Sequence, residues 1–485
     1  FDVTLPDAPD LGAGIVKTTL RTPMVPGDKG TVSVVIGNTG GRQAKGSVVT
    51  NLFLAADPAD PGTFIPLGSQ TSALALKPGQ TRTLTFSVVI QADEGAYYLV
   101  AATNAGAVPM PESRTDNNSG WTVDALPLVW QFGNVATRKN VALTVYDADD
   151  SLVTFALRGL GTGQVTDTGL GLGVALTGTT TASTATVTSK KSTFVGSDAE
   201  ASLGNITVGN TANAGDTTSL GSFTARTGNL HGDLTVMGTL KALTLNTAIA
   251  AKTIDIRHRI AAADAVSLAF GRVSDISVTS AAPIRSLTAT EWLNPSQTSL
   301  IEAPWIGTVT IKGNAKGGLL GSFEAAVRLN DAAAKQSLAT MTVAGWLDGA
   351  EIRAPSAIGS VTAGGLRHSL IYAGVKDGVT GLPDPTTDFG ALVSIRTVTV
   401  KGLKTEPFST IDSDIAAYSL GTITLAGIQF TNKLPDDTPV PFGLAGHTLT
   451  RLNYRDAAAA YSWPNKRPGE QTHPLPREQF EVNLA

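Results

Sequence analysis

The chain has 485 residues, a formal net charge of -4, 16% charged and 42% hydrophobic residues, 51 glycines, 25 prolines and no cysteine. Without cysteine there is no disulfide scaffold and no thiolate-held zinc or iron-sulfur site; without an apolar run of ~18 to 20 residues there is no membrane-crossing helix. The charges are dispersed, so the composition excludes the basic surface that a nucleic acid requires, and the low charged fraction describes a chain that buries a large core.

In chain order, residues 1–125 read as short strands separated by turns, the pattern of a β-sandwich. Residues 31–36 precede the turn at Gly37 to Gly41, and residues 47–54 lead into Asp57, Pro58, Asp60 and Pro61. Residues 81–86 alternate, which puts Leu84 and Phe86 on one face and the threonines on the other. The motifs Pro9-Asp10-Leu11, Val25-Pro26-Gly27-Asp28, Ile36-Gly37-Asn38-Thr39-Gly40, Leu76-Lys77-Pro78-Gly79-Gln80 and Glu112-Ser113-Arg114-Thr115-Asp116-Asn117-Asn118 resemble CARDB, the cell-adhesion-related domain found in bacteria. That resemblance implies an immunoglobulin-like or fibronectin-like sandwich, used as a module of bacterial surface and secreted proteins, with no catalytic residues.

Residues 126–201 are expected to form a β-rich segment that begins or caps a repeat region. Over residues 202–427 a phrase recurs, an apolar residue, Gly, a polar residue, then apolar-Thr-apolar. It starts at Leu203, Leu220, Ile306, Ile358 and Leu420, with degenerate copies at Leu240, Ile284, Leu338 and Ile395. Several neighbouring starts, as at 284 and 306, lie about 11 or 22 residues apart, and later separations of 32 and 37 imply insertions, a solenoid signature. In apolar-Thr-apolar the flanking residues point inward and Thr outward, and the Gly suits a corner where backbones approach closely. The expected fold is therefore all-β: a sandwich, then a right-handed parallel β-helix, then a Pro-rich arm. The Asp-rich turn at Asp147 to Asp150, the run Leu152 to Leu157 and the Gly-rich turn after it resemble the segments that precede the β-helical part of large planctomycete-type surface proteins, a likeness that covers much of residues 140–427. Residues 428–485 hold 7 prolines; Pro464, Pro468, Pro474 and Pro476 predict an extended arm after one helical turn at 456–460.

Asp147, Asp149 and Asp150 place three carboxylates in four residues, enough oxygen to begin a calcium site, although the Gly and distal Glu of an EF-hand loop are missing. A solvated β-turn explains the same residues, as it does Asp57 with Asp60 and Asp436 with Asp437. The histidines, His231, His258, His368, His447 and His473, show no metal-binding spacing. Trp292, Trp305 and Trp346 read either as a sugar-stacking strip or as packing beside the repeats. Among the repeat carboxylates Asp255, Asp275, Glu302, Glu351, Asp412 and Asp414, the last two lie two apart and would share a strand face; paired acids of this kind serve glycoside hydrolases.

The functional expectation is a non-enzymatic extracellular or cell-surface protein, structural or adhesive, that associates with itself in a filament or lattice or with other surface proteins. The start at Phe1, with no basic or apolar leader, reads as a processed chain whose signal peptide has been removed, or as a fragment. The alternatives are a secreted protein that binds or degrades polysaccharide, with Asp412 and Asp414 as its acids, and an accessory subunit of a membrane-associated complex. No cofactor other than calcium is expected.

Overall fold

The structure, a computed structural model, describes residues 7–433, 437–455, 460–464 and 478–485. It divides into two compact units. The first runs to Tyr146 and takes in Leu152–Leu157 and Thr162–Val165; the second holds Asp147–Ser151, Arg158–Gly161 and Thr166 onward.

The first unit opens, among the described residues, with the strands β1 (Leu11–Thr18), β2 (Lys29–Asn38), β3 (Ala44–Ala55), β4 (Phe64–Leu76), β5 (Thr81–Val89), β6 (Gly95–Ala102), β7 (Ser119–Trp121) and β8 (Leu126–Leu128). One sheet has the order β1-β2-β5 and the other β4-β3-β6-β7, with β8 also on β6. The alternation read in the sequence sets which side chains meet. Val32 pairs with Phe86 and Val34 with Leu84, and all four join Leu52, Leu54 and Leu99 in one buried cluster. Burial of this kind contributes about 1.5–3 kcal/mol per large side chain. Past the sandwich, Gln131–Val135 and Arg138–Tyr146 pair antiparallel, and Arg138–Tyr146 pairs antiparallel with Leu152–Arg158.

In the second unit the repeated phrase aligns residue on residue in parallel ladders. Its first position forms the column Ile284, Ile306, Leu338, Ile358, Ile395, Leu420 and Leu449, every member 2% exposed or less. The central apolar position forms a second column, Leu287, Val309, Met341, Val361, Val398, Ile423 and Leu452, equally buried. Threonines point the other way: Thr288, Thr310, Thr342, Thr362, Thr399 and Thr424 align in one rank. The glycine of the phrase is required where backbones approach. A Cβ on Gly307 would sit 2.5 Å from the Arg285 carbonyl oxygen, and one on Gly359 or Gly421 closer still to the carbonyls of Ala339 and Arg396.

The expected right-handed parallel β-helix is corrected: the sheet that carries these ladders closes as a barrel, and it is not wholly parallel, because Thr448–Arg455 and Ala460–Pro464 run antiparallel. The physical reason is that an inward-outward alternation of side chains is common to every closed sheet. It determines which face of a strand is buried and leaves the way the strands close undetermined. The Pro-rich arm is corrected too. The described part of residues 428–485 forms strands of the same sheet, Phe442–Gly446, Thr448–Arg455, Ala460–Pro464 and Phe480–Leu484, with Phe442 and Phe480 fully buried and 5.5 Å apart. Pro468, Pro474 and Pro476 and all but the last residue of the expected helical turn lie outside the described residues; Ala460 itself opens a strand. Among the described residues no helix is long and apolar enough to cross a membrane.

Candidate functional site

Five motifs of the first unit, scattered over a hundred residues, serve as turns and clasps. The Asp10 backbone N–H donates to Asn38 Oδ1 (3.1 Å), while its own carboxylate accepts from Thr39 Oγ1 (2.7 Å) and Asn117 Nδ2 (3.0 Å). Glu112 accepts from the Leu11 N–H (2.8 Å) and from the amides of Asn104 and Asn118 (both 2.6 Å). Asp28 caps the Val25 N–H (2.9 Å) and takes a bidentate pair from Arg138, and Gln80 closes its turn on the Lys77 N–H (2.9 Å). Motif residues far apart in sequence are thus joined through side chains, Asp10 to Asn117 and Glu112 to Leu11, while Asp28 and Gln80 close local turns.

In the second unit, the structure brings together two of the three carboxylates proposed for calcium. Asp147 accepts from the Ser151 and Ser202 N–H groups (2.9 and 3.1 Å), and Asp149 from those of Ser151 and Asp198 (both 3.0 Å). Burial, with the hydrogen bond and charge of Asp149, pushes Asp147 up to about 6. Asp149, in turn, is held well below the usual carboxylate range, first by that hydrogen bond from Asp147. Asp150 is exposed, in a left-handed turn conformation (φ 66°). Ser151, fully buried, ties the turn to Ser197 (3.0 Å). Among the described residues no group of three or more His, Asp or Glu side chains is arranged to hold a metal ion. The geometry is that of a hydrogen-bonded turn in which the oxygens of Asp147 and Asp149 accept from backbone N–H groups.

Asp412 and Asp414 do not share a strand face. Asp412 lies in a left-handed turn (φ 38°), facing His368 Nδ1 (3.1 Å) and Asn432 Nδ2 (2.5 Å). Asp414 opens the strand Asp414–Ala417, 4% exposed, and accepts from the Gly443 N–H (2.9 Å). Its burial, reinforced by the charge of Asp412, pushes it up to about 7 against the pull of the Gly443 N–H. Tyr372 packs against Val375, Leu382 and Phe389, its hydroxyl donates to the Gly381 carbonyl, and the Arg353 guanidinium lies 5.2 Å from its ring centre. Glu351 is paired with Arg353. The repeats alone do not disclose this cluster; the signal that could have found it is the long separation between the phrases at Ile358 and Ile395, whose intervening residues supply Val375, Leu382 and Phe389.

The other candidates stay apart. Asp57 and Asp60 accept from the Ala59 and Gly62 N–H groups of their own turn (both 2.9 Å); Asp255 pairs with Arg257 (2.8 Å) and Asp275 accepts from the Ser296 N–H (2.8 Å). His258 faces the Met237 carbonyl and His447 stacks on Tyr418 at 4.2 Å; His473 and Asp436 lie outside the described residues. Trp292 is fully buried between Phe270 and Phe323 and Trp346 is buried beneath Arg367, so these two form packing and no exposed strip. Glu324 and Asp348, absent from the sequence reading, line a polar cavity of about 510 Å³ together with Glu351. There Asp348 is paired with Arg367 and burial raises Glu324 above its usual value.

No family profile matches the chain, and no curated protein is similar to it. Among solved structures, the CARDB domain of a Pyrococcus furiosus protein, in complex with di-metal ions, is 21% identical, covering 27% of this chain and 98% of that domain at a TM-score of 0.20. A β-glucosidase from Erythrobacter marinus is 20% identical over 25% of this chain and 16% of its own, TM-score 0.17; β-glucosidase 3B from Thermotoga neapolitana is 16% identical over 24% and 16%, TM-score 0.17. The second resemblance, to planctomycete-type surface proteins, finds no counterpart among these. Part of the chain is therefore similar to a CARDB domain, and each of these likenesses is confined to about a quarter of its length.

Proposed function

We propose that the protein is a non-enzymatic structural or adhesive component of the extracellular space or the cell surface. The outer face of the second unit supports this reading most directly. Thr308, Thr340, Ser360, Thr397 and Thr422 form a second hydroxyl rank beside the one that runs from Thr288 to Thr424. Successive members lie about 4.8 Å apart, the spacing of paired strands. The two ranks are regular and built on buried apolar columns, with Arg285, Arg396 and Arg451 exposed on the same strands, which suits a rigid spacer or a contact face. Of the carboxylates that the sequence singles out for chemistry, Asp147 and Asp149 accept from backbone N–H groups, Asp412 faces His368 and Asn432, and Asp414 is 4% exposed. Immunogold labelling of source cells tests the location. Label at the cell surface, in ordered arrays or filaments, is the expected result; label confined to the cell interior overturns the reading. Cleavage of a polysaccharide by the purified chain would remove its non-enzymatic part.

A further inference from the structure

The hairpin of Thr448–Arg455 and Ala460–Pro464 sets Tyr454 opposite Tyr461 and Asn453 opposite Ser462. The two tyrosine rings stack, 5.0 Å apart and 30° from parallel, and Phe430 meets Tyr454 edge-on at 6.2 Å. Beside them opens a cavity of about 420 Å³, lined by these tyrosines, by Val400 and Leu425, and by Lys401 and Arg455. A volume of that order suits a small ligand.

Among the described residues, the lining holds two cations and no acidic side chain. Arg353 and Arg367 in the same unit are each paired with a carboxylate, whereas among the described residues Lys401 and Arg455 have no ion-pair partner. Polar groups share the lining: Ser462 Oγ donates to Asn453 Oδ1 (2.8 Å) and Asn453 Nδ2 to Thr424 Oγ1 (3.4 Å). Three kinds of recognition therefore meet in one place. Aromatic faces attract the C–H face of a ring, hydroxyl and amide groups exchange hydrogen bonds with ring hydroxyls, and two cations call for an anion. A simple phosphate would use the cations and leave the aromatic wall bare; a neutral sugar would use the wall and leave both cations unmatched.

We propose that this groove binds a carboxylated sugar unit of an acidic polysaccharide, with Tyr454 and Tyr461 taking the ring and Lys401 and Arg455 the carboxylate. The site goes beyond the structural role proposed above and is independent of it: loss of uronate binding leaves that role standing, and label inside the cell leaves this site standing.

The test is calorimetric titration of the full chain with trigalacturonate, with uncharged maltotriose and with a short single-stranded oligonucleotide. Trigalacturonate is expected to bind, more weakly as salt rises, while the other two do not. The double variant K401A/R455A, folded by circular dichroism, should lose trigalacturonate affinity by about tenfold or more, and the charge-conserving K401R/R455K should retain most of it. Failure of trigalacturonate to bind overturns the proposal. So does equal binding of maltotriose, preferred binding of the oligonucleotide, or a K401A/R455A variant that binds as the parent does.

Discussion

The sandwich and the second unit both bury alternating strands, yet they hold those strands in register by different means. In the sandwich, polar side chains join residues remote in sequence, Asp10 to Asn117 and Glu112 to Leu11. In the second unit each strand is aligned with a near neighbour in sequence, as Ile284 is with Ile306, and the alignment is carried by buried apolar columns with many equivalent members. A fold with few polar clasps concentrates specificity in single side chains. A fold of stacked equivalents distributes it, and is sensitive only where a position has no equivalent.

Trp292 is such a position, and its loss is the largest effect expected. The ring is fully buried, edge-on to Phe270 at 5.7 Å, with Nε1 donating to Ser299 Oγ (2.9 Å). Trp292→Ala should cost about 3–5 kcal/mol, read as a lower denaturation midpoint of the second unit with that of the sandwich unmoved. A loss under about 1 kcal/mol would mean that the stack absorbs even its singular members.

Asp414 comes next because its effect depends on pH. Its folded value of about 7 lies above the ordinary carboxylate value of 3.8, so the native state holds the proton where the unfolded chain has released it. Stability of the second unit should therefore fall as pH rises from about 4 to about 7, by up to ~1.4 kcal/mol per pH unit, and level off above that window. Asp414→Asn keeps an acceptor for the Gly443 N–H and should flatten the profile. A parent profile that stays flat between pH 4 and 7 contradicts this.

Glu112→Ala tests the sandwich in the same terms. It strands the donors of Leu11, Asn104 and Asn118 and should cost about 1–3 kcal/mol, confined to the first unit. If it lowers both midpoints equally, the two regions do not differ as argued.

The same contrast explains what could be read in the sequence. Leu84 and Phe86 fall inside as their alternation requires, and the repeat phrase fixes both the apolar columns and the corner glycines, because strand periodicity and backbone clearance are local properties. The barrel closure was not legible, since inward-outward alternation is shared by every closed sheet. Nor was the Asp414 environment: Gly443, Tyr372 and Phe389 reach it or its neighbours from separate strands and from the segment between two phrases, and sequence spacing carries no information about that convergence. The motif residues Asp10, Asn38, Glu112, Asn117 and Asn118 were visible as a resemblance, while their mutual hydrogen bonds required the folded chain.

The smallest effect expected is at Asp147 and Asp149. Calcium binds through carboxylate, carbonyl and water oxygens, typically six to eight of them, and these two carboxylates already accept from the N–H groups of Ser151, Ser202 and Asp198. Asp150 is exposed and does not join them. A cation here would have to displace hydrogen bonds that fasten the turn, including those around the buried Ser151, so chelation should leave the melting temperature of the second unit unchanged and added calcium should not raise it. Asp147→Asn should instead act through protonation: it replaces a group raised to about 6 and should remove a shallow loss of stability between about pH 4 and 6. A calcium-dependent rise in melting temperature that Asp147→Asn abolishes would show that the turn's hydrogen bonds yield to a metal, and would make this turn, like the clasps of the sandwich, a place where single polar side chains decide the outcome.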